Sequence, residues 1–273
     1  MRWLLLLLLW IPGLANAQVN VEKLRFGDVE EGLSGSIGLN ASFTNGNILF
    51  ADFGTASHVE WRKSKDLLFW VLNSRFAAKR TQSDLIAEPS VGLWDEEAHF
   101  ANLMLQHIRY NRTLSDAWWW EVFTQYEFNE FLLLDRRLLA GTGPRLELAS
   151  GERGGAWVGT SAMIEEERLN EESISPSEDV QTIALRSSSY FTATLQWDGW
   201  TQVTTLYVQP RFDDLEDYRL VGEASFAFKV NKTLSLTIDG RIRHDSRPPE
   251  TPAGSAQVLS TDMSIKNGIK LNW

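Results

Sequence analysis

The chain has 273 residues, 43% of them hydrophobic and 11% aromatic, with 36 acidic against 26 basic side chains and a formal charge of −10. That acidity argues against nucleic acid as a partner, because a phosphate backbone is held by clustered Lys and Arg. No cysteine is present, so disulfide staples and thiolate metal sites are excluded and stability must rest on packing and strand pairing.

Residues 1–17 carry Arg2, then the apolar run WLLLLLLWIPGL, then Ala15-Asn16-Ala17. This charged, apolar, small-residue order is that of a secretory signal peptide, with cleavage expected before Gln18. The apolar run is short of the ~20 residues that a membrane-spanning helix needs. Without Arg2 the exported chain keeps 36 acidic against 25 basic residues. Residues 18–31, QVNVEKLRFGDVEE, lack the length and alternation of a spanning strand and read as a short periplasmic tail or plug.

From residue 32 onward the pattern has period two. Leu33, Gly35, Ile37, Leu39, Ala41 and Phe43 share one strand face, with Ser34, Ser36, Asn40 and Ser42 on the other, and Asn45-Gly46 then turns the chain. Leu49, Ala51, Phe53, Val59 and Trp61 oppose Asp52, His58 and Glu60 in the next strand. Further on, Leu220, Ala224, Phe226 and Phe228 oppose Arg219, Glu223, Ser225 and Lys229, and Leu234, Leu236, Ile238 and Ile242 oppose Ser235, Thr237, Asp239, Arg241 and Arg243. The chain closes on STDMSIKNGIKLNW, where Met263, Ile265, Ile269, Leu271 and Trp273 oppose Asp262, Ser264, Lys266 and Lys270.

The alternation predicts twelve strands, at 32–43, 48–61, 67–79, 98–110, 117–130, 137–149, 155–167, 183–197, 200–211, 218–230, 233–244 and 258–273. Ten is the nearest alternative count. Most of these exceed the ~9–11 residues with which a tilted strand crosses a bilayer. At 98–110 and 200–211 apolar residues occur on both faces, the mark of a bulge or a displaced boundary. Connections sort by parity into a short set, 62–66, 111–116, 150–154, 198–199 and 231–232, and a set that includes the long segments 80–97, 168–182 and 245–257. Short periplasmic turns and long external loops characterise outer-membrane barrels. The expected fold is therefore a transmembrane, antiparallel, up-and-down β-barrel over residues 32–273, with both termini in the periplasm.

Tryptophan placement agrees with that polarity. Trp61, Trp118, Trp119, Trp120, Trp157, Trp197, Trp200 and Trp273 lie near the short turns or the C-terminus, where indole favours the membrane interface. Trp61, Trp118, Trp120, Trp157, Trp197, Trp200 and Trp273 are the expected periplasmic aromatic girdle. The polar faces supply the candidate lumen lining: Asp239, Arg241, Arg243, Lys266, Lys270, Glu223, Lys229 and Arg145, of both signs.

Residues 107–148 carry Arg109-Tyr110-Asn111, then Phe-x-Gln-Tyr-x-x-Asn at 123–129, then Arg-x-x-x-Gly-x-Gly-x-Arg at 137–145, after an early SFTNGN at 42–47. In these motifs the chain resembles the bacterial family labelled salt-induced outer-membrane proteins. The resemblance implies an outer-membrane β-barrel of unassigned activity and transfers no catalytic residues.

Chemistry-bearing motifs are few. His58, His99, His107 and His244 are scattered without metal-ligand spacing. The pair His244-Asp245 is the nearest approach to the nucleophile and base of a rim hydrolase. Acidic runs at Asp95-Glu96-Glu97, Glu165-Glu166-Glu167 with Glu171, Glu172, Glu178 and Asp179, and Asp213, Asp214, Glu216 and Asp217 fall on the expected external side, where divalent cations are candidate partners. The expected function is an envelope-structural or narrow small-solute channel role, without catalysis or cofactor, in contact with outer-membrane lipid and the barrel-assembly machinery. A rim hydrolase and a soluble periplasmic ligand-binding protein are the alternatives.

Overall fold

Twelve strands form one antiparallel sheet in the computed structural model, which describes residues 31–271 other than 47, 96, 97, 232, 233 and 256. The expected signal peptide and nearly all of the expected tail lie outside the described residues. The strands are β1 (Gly32–Thr44), β2 (Ile48–Lys63), β3 (Asp66–Thr81), β4 (His99–Thr113), β5 (Trp118–Asn129) and β6 (Leu134–Gly151). They continue as β7 (Gly154–Leu169), β8 (Gln181–Trp197), β9 (Trp200–Pro210), β10 (Tyr218–Lys229), β11 (Leu234–Asp245) and β12 (Thr261–Leu271). Each pairs with its sequence neighbour, so the topology is up-and-down throughout.

The parity of the connections is as the alternation requires. At one end of the sheet the chain turns through the short links after β2, β4, β6, β8 and β10, including Asp198-Gly199, where Gly199 takes φ +91°. At the other end lie the long connections, one of which folds helix α1 (Gln82–Ala87) behind a capping box between Thr81 and Asp84. Strand boundaries move by a few residues. Of the two strands with ambiguous phase, β4 does carry a register shift, at Ala77/Ala78 of its partner β3. In contrast, β9 runs in regular register and is apolar on both faces because Val203 and Tyr207 are buried.

The sheet curls strongly about one face. Tyr190 on β8 donates to Glu121 on β5 at 2.7 Å, and Arg219 on β10 donates to Glu165 on β7 at 2.8 Å. On a flat sheet these partners would stand three strand spacings apart, roughly 14 Å. Only a concave face brings them into hydrogen-bond range.

Polarity is inverted relative to a water-soluble sandwich. The largest fully buried side chains include Arg109, His107, Glu60, Glu121 and Glu127, all on the concave face. The convex face carries Ile164, Leu185, Phe191, Leu206, Leu236, Ile238 and Ile242 in the open. Period-two alternation makes this sorting automatic, since successive side chains leave opposite faces.

Glycines of β6 fit the curl. A Cβ on Gly143 would collide with the Thr160 carbonyl oxygen and stand 2.6 Å from Ser161 Cα, and one on Gly141 would stand 2.8 Å from Met163 Cβ. Backbone cannot yield as a side-chain tip can. Gly143→Ala is therefore expected to destabilise the fold by about 1–3 kcal/mol, read as a lowered urea midpoint; an unchanged midpoint would refute the close approach.

Candidate functional site

The concave face holds the only dense collection of reactive side-chain types among the described residues, and it is arranged in layers. At the long-connection end, Arg219 donates from Nη1 to both oxygens of Glu165 at 2.8 and 2.9 Å, from Nη2 to Glu167 at 2.9 Å, and from Nε to Asp245 at 2.9 Å. One guanidinium thus joins β7, β10 and β11 across the concave face. Arg137 on β6 reaches Glu167 at 2.9 Å and Glu127 at 3.2 Å. Arg186 on β8 reaches Glu165 at 3.2 Å and Asp217 at 2.9 Å, and Arg243 reaches Asp245 at 3.2 Å.

Planar guanidinium groups suit this role, because their fixed donor fork satisfies several carboxylates at once. With Arg211, which pairs with Asp217 at the rim, five cations face Glu127, Glu165, Glu167, Asp217 and Asp245. Within the layer each of these cations therefore has at least one carboxylate partner. In the loop beyond it, the Arg211 guanidinium binds Asp213 and holds that carboxyl below its ordinary range.

Below the ionic layer lies a mixed one of His107, Phe123, Gln125, Leu139, Met163 and Val221. The cavity left between the two layers measures about 10 Å³, enough for a single water molecule. Lower still, Arg145 donates to the Tyr190 hydroxyl at 3.2 Å and stands over the Trp157 ring at 5.4 Å, while Arg109 lies 3.6 Å from Glu121. Thr192 and Thr205 then share a hydrogen bond at 3.1 Å.

Above the ionic layer sits an apolar lid. Leu132, Leu134, Leu169 and Ile174 form a buried cluster against which Val180 and Val258 pack. The β7–β8 and β11–β12 connections are tied together, with Ser175 N–H donating to the Glu250 carbonyl at 2.8 Å and Glu250 N–H to the Glu178 carboxylate at 3.2 Å.

The expected lumen residues divide by depth. Arg145 and Arg243 are buried in the layers just described. Arg241 stands 3.4 Å from Glu223, and Asp239 accepts from the Ser225 hydroxyl, all on the concave face. Lys229 is exposed at the end of β10. Lys266 and Lys270 oppose Asp239 and Ser235 in the β11–β12 register, and their side chains lie outside the described residues. Arg109, Arg137, Glu165, Glu167, Arg186, Asp217 and Asp245, the centre of the network, were absent from the expected list. Their signal was present in the alternation: Arg186, Ser188, Tyr190 and Thr192 oppose Ile183, Leu185, Phe191 and Leu195.

Among the expected girdle residues, Trp61, Trp118, Trp120 and Trp197 are exposed on the convex face at the short-turn end. Trp197 and Trp200 stack at 5.0 Å across the β8–β9 turn. Trp157 departs from the set. It shares the concave face with Glu147, to which its indole N–H donates at 3.2 Å, because an odd position on β7 points inward. Trp273 lies outside the described residues.

Two further groups of residues singled out by the sequence are placed as follows. Glu165-Glu166-Glu167 ends the expected strand 155–167 and belongs to β7, where Glu165 and Glu167 point inside rather than forming an open acidic surface, and Glu166 points outside against Arg136. Asp213 and Asp217 hold Arg211, and Asp214 holds Arg247 at 2.8 Å; no group of three or more His, Asp or Glu suited to a metal forms among the described residues. His244 and Asp245 form no dyad either. His244 Nδ1 bonds Thr261 on one face, while Asp245 is buried against Arg219 on the other.

No curated protein matches the chain. A family model described as protein of unknown function, DUF481, matches residues 95–262, a span from just before β4 into β12 that includes every layer described above and the motifs at 107–148. The chain belongs to the DUF481 family.

Proposed function

We propose that the chain is an outer-membrane β-barrel in which β12 closes onto β1, and that it serves the envelope as a structural element whose interior is filled by its own side chains. The inverted polarity of the sheet carries this reading: aliphatic and aromatic side chains lie in the open on the convex face, while Arg and Glu are buried on the concave face. In water that arrangement would expose a large apolar surface and desolvate charges, both unfavourable. In a bilayer the convex face meets acyl chains. An open sheet edge in lipid would cost several kcal/mol for each unpaired backbone group, which favours closure.

The resemblance to salt-induced outer-membrane proteins, the signal-peptide pattern of residues 1–17, and the indole-rich short-turn end support the same location. Lipid and the barrel-assembly machinery are then its partners. A passive channel fits less well, because the lid, the ionic layer and the level of Arg145, Tyr190 and Trp157 occupy successive depths of the same interior. Catalysis has no support from the geometry of His244 and Asp245.

Fractionation and planar-bilayer recording on the purified full chain test the two parts. The protein is expected wholly in the outer-membrane fraction, and a soluble pool would contradict the location. After insertion, recordings are expected to show no stable unitary conductance; steady conductance steps would overturn the filled interior.

A further inference from the structure

The connection between β3 and β4 does not join the lid over the barrel end. It folds back over the convex face. Ala51 opposes Ala78, and Phe53 opposes Phe76, on the outer side of the β2–β3 pair. Leu93 and Ala98 of the connection bury Ala51 and Ala78 completely. Trp94 lies nearly parallel to the rings of Phe76 at 5.8 Å and Phe53 at 6.4 Å. Arg80, itself buried, fastens the segment by donating to the carbonyls of Asp84 and Glu88 at 2.6 and 2.7 Å and to that of Val91.

This flap presents apolar side chains away from the protein. Ile86 on α1 is 81% exposed and Trp94 is 61% exposed, with Leu85 beside them. Transfer of each from water to an apolar environment is favourable. The convex wall continues next to the flap as an apolar groove lined by Leu39, Ala41, Phe53, Phe76, Met104 and Phe128. Trp94 therefore stands at the upper margin of the apolar wall, with polar backbone fastened behind it. Indole favours that level of a bilayer.

We propose that the β3–β4 connection is a lipid-seated anchor, with α1 and Trp94 held in the membrane interface at the long-connection end and Ile86 in contact with acyl chains. The proposal rests on the outer-membrane reading above. The occupant is bilayer lipid rather than a protein partner, because the flap's exposed apolar side chains and the groove are continuous with the convex wall that the same reading places in lipid.

The absence of cysteine permits a clean test. Ile86→Cys, Leu206→Cys and Glu172→Cys, each in the otherwise intact chain, are labelled with an environment-sensitive fluorophore and folded into phosphatidylcholine vesicles. Leu206 reports the middle of the convex wall and Glu172 the β7–β8 connection, exposed to water. Blue-shifted emission from Ile86 and Leu206, lost when the acyl chains are brominated, with Glu172 unaffected, is the expected result. If Leu206 is quenched and Ile86 behaves like Glu172, the anchor is overturned and the barrel stands. If neither Leu206 nor Ile86 is quenched, the membrane reading itself fails and the anchor with it.

Discussion

Glu165→Ala is expected to destabilise the folded protein by about 3–5 kcal/mol, the cost of leaving buried charge without its counterion. Glu165 is almost fully buried and accepts from Arg219 at 2.8 Å and from Arg186 at 3.2 Å. Removing the carboxylate deletes two of the four bonds that Arg219 makes to its carboxylates, leaving it Glu167 and Asp245, and takes from Arg186 one of its two carboxylate partners, so the buried layer keeps a positive charge in excess. Water cannot flow in freely to replace it, because the cavity nearby holds about one molecule. Glu165→Gln keeps the shape and an acceptor, so its loss is expected to be smaller. Urea unfolding of the protein in detergent micelles measures both. A loss below about 1 kcal/mol for Glu165→Ala, the range of exposed ion pairs, would show that the layer is solvated and the interior open.

That network also marks the limit of what alternation can reveal. Period two assigns a side chain to a face, and all twelve strands were legible because the contrast is strong along most of the chain, as in Leu234–Asp245. It does not say which residues meet across the interior. Arg219 and Glu165 lie 54 positions apart, and their encounter depends on the curl of the sheet and on the stagger of three intervening pairings. Glu165-Glu166-Glu167 was hard to read for a different reason. Three like residues in succession erase the contrast between faces, so the alternation does not show that Glu165 and Glu167 point inside while Glu166 points out.

Local errors have similarly physical origins. The strand beginning at Leu134 rather than 137 includes a register shift that lets Leu134 meet Leu169 within the lid. Residues 258–260 do not open β12, because Val258 packs into that lid. The helix Gln82–Ala87 has only six residues, too few to show a 3.6-residue period. Nearness to a turn puts Trp157 in the girdle, whereas its parity on β7 puts it inside. Adjacent residues such as His244 and Asp245 cannot converge on one strand, since their side chains leave opposite faces.

Leu206→Arg separates a membrane barrel from any water-soluble reading of the same sheet. Leu206 lies mid-strand on β9, 53% exposed, opposite Phe191 on one side and Gly222 on the other. In water an exposed substitution of this kind changes stability within about 0.5 kcal/mol. At the middle of a bilayer a guanidinium on the lipid face costs about 2–4 kcal/mol. Leu215→Arg, in the β9–β10 connection and 69% exposed, is the companion change and is expected to be neutral in either setting. The difference between the two variants, measured by urea unfolding in vesicles, should therefore reach a few kcal/mol if the convex face meets lipid. Equal stability of Leu206→Arg and Leu215→Arg would mean that the convex face meets water, and the buried Arg and Glu inside would then need another explanation.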